Sequence, residues 1–426
     1  MKKVLTIVAL VLVLMFAVVA CTSTGTEEPA AEETAAAEEP AAEETAAAEE
    51  PAADTPAEED ATNTEGGAID IAAVIASEKT TDNQQLMPDP IEKAFPDRPE
   101  DPSSLPEDDA GRYYDMEYVG WDAGEKDAGI PASPGDGPQG KKVISIVHGD
   151  HAWTTAYEKG MKQACEAFGM EVEVWSPNWD QALQDQLIDQ AINAQPDAIA
   201  LIPLSAENAV QQFRKITQAG IAAFGTNMLT TSDAMPYMAA WTGPDDWAQM
   251  RQLADTLGEA MGGEGGIAYI THDPGGSPYY ARTYGPITEF AEKYPDIKTL
   301  DIQSPGFEAA EVKQVVSDWI TRFGDDLNAI FLADDSAQAT GAVDAVKEAG
   351  RDDIMIVAAG NSKTGQDLVK AGDLLIINYQ SAEGDAGLCA RTMAEWFAGE
   401  EVLPVGYLAT DMITSDNVEG FYPTQW

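Results

Sequence analysis

Basic residues and cysteines are both scarce in this chain. Among 426 residues there are 24 Lys or Arg against 74 Asp or Glu, giving a formal net charge of −50. A chain this acidic repels nucleic acid and has few cations with which to displace counterions from a polyanion. Highly anionic substrates and anionic lipid surfaces are disfavoured for the same reason. The three cysteines are too few for a disulfide scaffold.

Sequence motifs of enzymes are missing as well. No GxGxxG follows a strand-like run, and neither GxxxxGK[ST] nor GxSxG occurs. His148 and His151 form an HxxH pair, which is a weak metal signal without an accompanying CxxC or HExxH. We therefore expect no catalytic residue, no cofactor and no metal ligand.

The first residues indicate export. Two lysines precede an apolar run at 4–20 that is short for a membrane span of about 20 residues. The run ends in Val18-Val19-Ala20-Cys21, which resembles a bacterial lipobox. We predict a signal peptide at 1–20 and lipid attachment at Cys21; an ordinary signal peptide or an uncleaved anchor is the alternative.

Two segments of unusual composition follow. The eleven residues EEPAAEETAAA at 27–37 recur at 38–48, and residues 22–65 hold 15 acidic and no basic side chains. Such a segment cannot bury enough apolar surface to fold, so 21–65 is predicted to be a lipid-anchored, disordered acidic stalk.

Residues 66–140 contain nine prolines and four clustered aromatics, Tyr113, Tyr114, Tyr118 and Trp121. We predict an irregular Pro-rich extension that packs on the main domain.

From Lys141 onward, short β-rich runs alternate with amphipathic helical stretches. Runs such as AIALIPL at 198–204 and IMIVAA at 354–359 are almost wholly apolar, as parallel strands covered on both faces are. The alternation predicts an α/β fold. About eleven strands are many for one sheet, which favours two lobes. Polar and aromatic residues cluster after several strands, where open parallel sheets bind ligands.

An ordered series of segments extends this prediction. VISIVHGDHAWTTAYEKG begins at Val143, DAIALIPLSAENAVQQFRKITQAGIAAFGTN at Asp197, and TGPDDWAQM at Thr242. YARTYGPITEF, AIFLADDSAQATGAV, IMIVAAGNS, INYQSAEGDAG and ITSDNVEGFYP follow in that order. In this order the segments resemble the periplasmic sugar-binding proteins of the ribose/galactose type, which are solute receptors of ABC importers.

The resemblance implies two Rossmann-like lobes with parallel sheets, joined by a hinge of three crossings, which is the type I periplasmic binding protein fold. An N-terminal lobe would comprise 141–242 plus 381–406. A C-terminal lobe would comprise 243–380 plus 407–426, the latter also forming part of the hinge and a tail.

The resemblance also implies a set of ligand contacts. Phe307 and Trp153 would be aromatic walls, Arg282 or Tyr284 would occupy the family's arginine position, and the remaining residues would be polar contacts. The implied contacts are Asp150, His151, Trp153, Thr154, Asn227, Arg282, Tyr284, Phe307, Asp334, Asn361 and Gln380. Met228 stands where the family has an arginine, so ribose itself is expected to bind weakly.

Several of these residues have a purely structural alternative. Trp153 is one turn into a helix and would suit the core, and Asp334 would suit a helix cap. Arg282 would suit a structural ion pair, and Gln380 a hinge. Cys165 and Cys389 would be free buried thiols or, in an exported protein, a disulfide.

The expected function is that of a lipid-anchored, extracytoplasmic solute-binding protein. As a monomer, it would capture a small carbohydrate by closing its cleft and deliver it to ABC permease subunits. A sensory receptor for a sugar-like, autoinducer-type signal and a receptor for a non-sugar solute such as a nucleoside are the alternatives.

Overall fold

A computed structural model describes residues 69–120 and 129–426. The predicted signal peptide, the lipid site Cys21, the acidic stalk and Trp121 lie outside these residues.

Twelve strands are found in the described residues. They are β1 (Lys142–Ile146), β2 (Glu171–Trp175), β3 (Ala198–Leu201), β4 (Ala222–Thr226), β5 (Ala240–Gly243), β6 (Glu264–Ile270), β7 (Asp296–Gln303), β8 (Ala329–Leu332), β9 (Met355–Ala358), β10 (Ile376–Tyr379), β11 (Val405–Tyr407) and β12 (Asp411–Ile413). The two three-residue strands β11 and β12 were not predicted, because so short a run has no readable period.

Eleven α-helices lie in the same part of the chain. They are α1 (Ile71–Ser77), α2 (Tyr114–Glu117), α3 (Ala152–Ala167), α4 (Gln181–Ala194), α5 (Ala206–Gln218), α6 (Asp246–Ala260), α7 (Ser277–Lys293), α8 (Ala309–Phe323), α9 (Ala337–Ala349), α10 (Lys363–Ala371) and α11 (Ala382–Phe397). Short 3-10 turns occur at Pro102–Ser104, Ala110–Tyr113, Ser232–Tyr237, Gly324–Asp326 and Val418–Phe421. None of the helices in these described ranges is long and apolar enough to cross a bilayer.

The strands form two six-stranded sheets. The first has the order β11-β5-β4-β3-β1-β2 and is parallel throughout. The second has the order β12-β10-β9-β8-β6-β7, with only the edge strand β12 antiparallel. Every residue of β3, β4 and β8 is buried, as expected for parallel strands with helices on both faces. The predicted two-lobed α/β fold is confirmed.

The chain crosses between the sheets three times. It leaves the first sheet after β5, returns to it after β10, and leaves it again after β11. Helix α11 packs against α3, β4 and β5, so it belongs to the first lobe. Helix α6 packs against α7, β9 and β10 of the second lobe.

Helices α3 and α11 approach each other closely at Gly160. A Cβ at this position would lie 2.5 Å from the carbonyl oxygen of Glu383, nearer than any real Cβ contact. Only glycine therefore allows this backbone contact.

Both Cys165 and Cys389 are buried in the core of the first lobe and are free thiols, so the described chain has no disulfide between them. Burial raises the pKa of each thiol.

The extension that precedes β1 contacts both lobes. Leu86 and Met87 are fully buried in the core cluster of the first lobe. On the other side, the Tyr113 ring stacks on Tyr284 at 4.5 Å and lies 5.8 Å from the ring of Trp247, both in the second lobe.

A buried ionic cluster fixes the same extension beside a crossing. The Glu117 carboxylate is buried and pairs with Lys93 at 3.1 Å and with the Arg251 guanidinium of α6. Lys93 also pairs with Asp245, directly before α6, at 2.9 Å. The two cations hold the pKa of Glu117 below its usual range despite burial.

Candidate ligand cleft

The carboxyl ends of both sheets border one cavity of about 450 Å³. This volume lies within the range of about 300–1,000 Å³ that is usual for small-molecule sites. Its lining combines aromatic rings, histidines and planar polar groups: His148, His151, Trp153, Trp179, Asn227, Met228, Asp246, His272, Asp273, Pro278, Arg282, Phe307, Asp334, Ser336, Ala337, Ala359, Gly360, Gln380 and Trp426. Both lobes contribute to it.

Seven of the predicted contact residues border this cavity. They are His151, Trp153, Asn227, Arg282, Phe307, Asp334 and Gln380. The rule that ligands lie beyond the carboxyl ends of strands explains this convergence, since each follows a strand of one of the two sheets.

Two predicted residues near the first strand lie elsewhere. Asp150 is exposed and borders a smaller pocket of about 140 Å³, where its carboxylate accepts a hydrogen bond from Ser176. Thr154 is buried in the same pocket wall, with its hydroxyl 3.2 Å from Nδ1 of His148. Asp150 lies before the first residue of α3 and does not border the main cavity, and Thr154 reaches it only through its contact with His148.

Two further predicted residues support the cleft from behind. Tyr284 stacks on Tyr113 of the extension, so Arg282 is the one of this pair that reaches the cavity. Asn361 is fully buried, and its Oδ1 accepts the backbone N–H of Gln380 at 3.3 Å.

Aromatic rings of the first lobe form a row, which we call the aromatic row: Tyr157, Trp153, His148 and Trp179. Successive ring centroids are 5.3, 5.4 and 4.5 Å apart. Tyr157 is fully buried and Trp153 is 7% exposed, whereas Trp179 is 48% exposed. The row therefore runs from the core to the solvent edge of the cavity.

The His148 ring within this row is neutral. Its Nδ1 accepts the N–H of Gly149 at 3.0 Å, which leaves the ring proton on Nε2. Burial lowers the pKa of His148 to about 3, with further lowering from His151 and His272.

The second lobe contributes the opposite aromatic surface. Phe307 meets the His272 ring edge-to-face, with 4.9 Å between centroids. Trp426, from the last segment of the chain, meets His151 of the first lobe in the same way at 5.7 Å.

The polar centre of the cavity is an ion-pair cluster beside the crossings. The Arg282 guanidinium donates to Ala333 O at 2.8 Å, to Gln380 Oε1 at 2.9 Å and to Asp246 Oδ1 at 3.2 Å. Nε of Arg282 is buried and has no protein partner. Burial raises the pKa of Asp246, and Arg282 opposes this rise. Arg282 thus borders the cavity while its guanidinium is held by the ion pair and by the bonds to Ala333 and Gln380.

Asp334 is both a helix cap and a wall residue. Its Oδ2 accepts the backbone N–H groups of Ser336 at 3.0 Å and Gln338 at 3.2 Å, at the start of α9. These bonds fix the carboxylate in a side wall of the cavity.

Asn227 is held by a buried acid. It has a φ of +61°, and its Nδ2 donates to Asp385 Oδ2 at 2.7 Å. Burial raises the pKa of Asp385 to about 7, although the hydrogen bonds from Asn227 and Thr226 oppose this. The orientation of the Asn227 amide in the cleft therefore depends on Asp385.

Several wall residues were missed by the sequence analysis. Trp179 follows the end of β2, so the same strand-end rule was available for it. Asp246 begins a helix after the first crossing, and Trp426 is far from any strand end. Neither of these two carries a local signal. Within the described ranges, no group of three or more His, Cys, Asp or Glu is placed to hold a metal ion.

Fold and cleft together define a class: a two-lobed α/β protein that binds a solute between its lobes. The chain belongs to the family of the periplasmic binding protein domain, whose model matches residues 143–401. Members of this family are extracytoplasmic solute-binding proteins, not enzymes.

Individual relatives agree with this assignment. The chain is 29% identical over 282 residues to the xylitol-binding protein of Mycolicibacterium smegmatis, covering 66% of this chain and 78% of that one. It is 25% identical over 230 residues to the D-apiose import binding protein of Actinobacillus succinogenes, covering 54% and 72%. An ABC transporter solute-binding protein of A. succinogenes, solved with bound D-allose, shares the fold. Its TM-score is 0.61 at 21% identity, with 66% of this chain and 99% of that chain covered.

Proposed function

We propose that the protein is the solute receptor of an ABC importer and binds a small carbohydrate in the cavity between its lobes. The observation that carries this proposal is the composition of the cavity wall. Aromatic rings from both lobes, Trp153 and Phe307, border the cavity together with the planar polar groups of Arg282, Asp246 and Gln380.

These groups suit a neutral polyhydroxylated ring. Aromatic faces bury the C–H patches of a sugar, while carboxylates, amides and guanidinium bind its hydroxyl groups. A hydroxyl that is missing or inverted leaves a wall group unpaired, at a cost of about 1–3 kcal/mol. The relatives named for xylitol and D-apiose support a ligand of this class.

Met228 bears on the choice of sugar. It lies in the cavity wall and is buried, so it offers an apolar surface where a guanidinium would form hydrogen bonds. We therefore expect D-ribose to bind weakly, and tight binding of D-ribose would contradict the proposed roles of these wall residues.

Capture would proceed by hinge closure. The three crossings are the only backbone connections between the two sheets within the described residues, and hinge motion around a ligand is a common movement of two-lobed proteins. The ion pair of Arg282 with Asp246 and the bond to Gln380 lie next to two of these crossings.

The place of action would be the outer face of a membrane, with the chain held there as a monomer by a lipid on Cys21. Lipid attachment is supported by the sequence Val18-Val19-Ala20-Cys21. A diacyl anchor with an additional acyl chain would give stable attachment. Metabolic labelling with a radioactive fatty acid tests this: the wild type should incorporate the label and Cys21→Ser should not, and equal labelling of the two would contradict lipidation.

Binding is tested by thermal unfolding of the full-length protein, followed through its tryptophan fluorescence, against monosaccharides, short oligosaccharides, polyols, nucleosides and amino acids. A ligand at a hundredfold excess over its Kd stabilises the fold by about 2.7 kcal/mol. A selective sugar or polyol should raise the unfolding temperature. A response to a nucleoside or amino acid alone would refute the carbohydrate proposal.

Two substitutions then locate the site. Gln380→Ala and Phe307→Ala should each weaken binding of the sugar found in the screen by about tenfold or more, because each removes a contact from the cavity wall. Gln195→Ala, at the exposed end of α4 far from the cleft, is the control and should leave the affinity unchanged. Equal affinity in all three variants would place the ligand elsewhere.

A further inference from the structure

The part of the extension at 69–120 contacts each crossing of the hinge. It lies outside the residues that the family model matches, 143–401, so the shared fold does not account for it. At the first crossing, which follows β5, the Lys93 ammonium pairs with the Asp245 carboxylate at 2.9 Å. This contact joins the extension to the residue directly before α6.

The other two crossings are held in the same way. Beside the second crossing, at the end of β10, the Tyr379 hydroxyl donates to Oδ2 of the buried Asp82 at 2.9 Å. Beside the third, at the end of β11, Ile91 and Tyr407 exchange two backbone hydrogen bonds of 2.8 and 2.9 Å. One short segment, 82–93, therefore contacts the chain at all three places where it passes between the lobes.

Further along, the extension is anchored in both lobes by residues that are close in sequence. Tyr113 stacks on Tyr284 of the second lobe, and Glu117 pairs with Arg251 of the same lobe. Val119 is fully buried in a core cluster of the first lobe. Because two residues of chain span at most about 7 Å, the link from Glu117 to Val119 has little slack.

The two lobes touch across the cleft in the arrangement that these anchors hold. The N–H of Leu229, after β4 of the first lobe, donates to Oγ of Ser277 in the second lobe at 3.0 Å. The Trp426 ring lies 5.7 Å from that of His151 in the first lobe, and the Trp426 carbonyl accepts the N–H of Lys363 in the second. The extension is therefore docked on a closed arrangement of the lobes.

Opening of the cleft acts against these anchors. Arg251 and Tyr284 move with the second lobe, whereas Val119 stays with the first. A rotation that separates Arg251 from Val119 must break the buried Glu117 pair or withdraw Val119 from its core. Each of these changes removes a buried contact, so the anchors oppose the rotation.

We infer that residues 82–119, here called the tether, form a fourth connection between the lobes and hold the cleft towards its closed arrangement before a solute enters. This inference rests on the proposed hinge closure and goes beyond it, because it assigns a function to a segment outside the family fold. A larger binding-competent fraction raises the apparent affinity for a solute. The tether would therefore strengthen binding without touching the solute.

The test measures the distance between the lobes in the full-length protein without solute, by double electron–electron resonance. The spin labels are attached to Gln186→Cys on α4 and Gln314→Cys on α8, which replace exposed residues of the two lobes. Cys21→Ser is included so that the label goes to the introduced thiols, since Cys165 and Cys389 are buried.

The decisive variant lengthens the tether and keeps its anchors. A flexible insertion of about six Gly and Ser residues after Tyr118 leaves every anchoring side chain in place. It should increase the mean distance between the labels by several ångströms and broaden its distribution. The same insertion after the exposed Gly135 is the matched control, because contacts to α11 of the first lobe flank that position. It should leave the distance unchanged.

A substitution gives a second test that does not alter the chain length. Tyr113→Ala removes an anchor in the second lobe and should also lengthen the distance. Its control is Tyr294→Ala, because the Tyr294 ring packs on Phe290 of the same lobe. An unchanged distance in both the insertion after Tyr118 and Tyr113→Ala would refute the tether. Equal lengthening in the two controls would refute it as well, since general loosening of the fold would then explain the effect.

Calorimetric titration with xylitol, D-apiose and D-allose separates the tether from the proposed function. If the wild type binds one of these, the insertion after Tyr118 should weaken that binding about tenfold. An unchanged Kd would contradict the effect of the tether on affinity. If the wild type binds no saccharide or polyol, the carbohydrate proposal fails, while the distance measurement still decides whether the tether holds the lobes.

Discussion

Replacing the buried acid Asp385 with asparagine should remove a pH dependence from folding stability. Asp385 lies in the first turn of α11, fully buried, and accepts the Asn227 amide at 2.7 Å. Burial raises its pKa to about 7 from an ordinary value near 4. The folded protein therefore binds this proton more tightly than the unfolded chain does.

The sign of the effect follows from that difference. The stabilising contribution of the Asp385 proton is complete below pH 4 and is lost as the pH rises through 7. A shift of about three pKa units corresponds to about 4 kcal/mol in total. From pH 5 to pH 8, the wild type should lose roughly 3 kcal/mol relative to Asp385→Asn. The asparagine keeps an acceptor for Asn227 and has no charge to desolvate.

The assay is urea unfolding of the full-length protein at pH 5 and pH 8. The difference in unfolding free energy between Asp385→Asn and wild type should change by roughly 3 kcal/mol in favour of the variant at the higher pH. Asp318→Asn, on the exposed face of α8, is the control and should follow the wild type. If Asp385→Asn also follows the wild type within about 1 kcal/mol, the charged form is not desolvated as the structure implies.

Three further outcomes are expected. Glu117→Ala should reduce the unfolding free energy by about 3–5 kcal/mol, because it leaves two cations beside an empty buried position. Its control is Glu158→Ala, which removes one partner of an exposed ion pair and should reduce the unfolding free energy by less than about 1 kcal/mol. Gly160→Ala should reduce the unfolding free energy by about 1–3 kcal/mol, since its Cβ would overlap the Glu383 backbone. Urea unfolding measures the unfolding free energy of each of these variants. The two described thiols should react with a thiol reagent only after unfolding, as titration with and without denaturant would show.

For each of these three predictions, a specific result would contradict it. Equal losses in Glu117→Ala and Glu158→Ala would mean that the buried cluster is no stronger than a surface pair. A neutral Gly160→Ala would mean that α3 and α11 separate without cost. Fast thiol reaction in the folded protein would show that the core of the first lobe opens readily.

The sheets were predictable because their signal is strong and local. Strands such as β3 and β9 are wholly or almost wholly buried, so each reads as an unbroken apolar run regardless of what surrounds it. β11 and β12 each have three residues and owe their place to the edge of a sheet already formed. Nothing in their own sequence distinguishes them from a loop.

The cleft was predictable to the extent that strand ends determine it. Gln380 directly follows β10 and Phe307 lies in the loop after β7, and both reach the cavity, whereas Asn361 lies in the loop after β9 but turns inward to accept the backbone N–H of Gln380. Trp426 also borders the cavity, but it is far in sequence from the strand ends that form the rest of the wall. No local sequence pattern therefore predicts that it lies there.

The contacts of the extension determine when it can dock during synthesis. Thr81 bonds to Glu383, Leu86 packs against Gly387, Ile91 pairs with Tyr407, and Asp82 accepts a hydrogen bond from Gln425, some 343 residues further on. Each partner leaves the ribosome some three hundred residues or more after the extension itself. These particular contacts can form only after α11 and the segments that follow it have been made, so they add long-range contacts to the fold and form late in it.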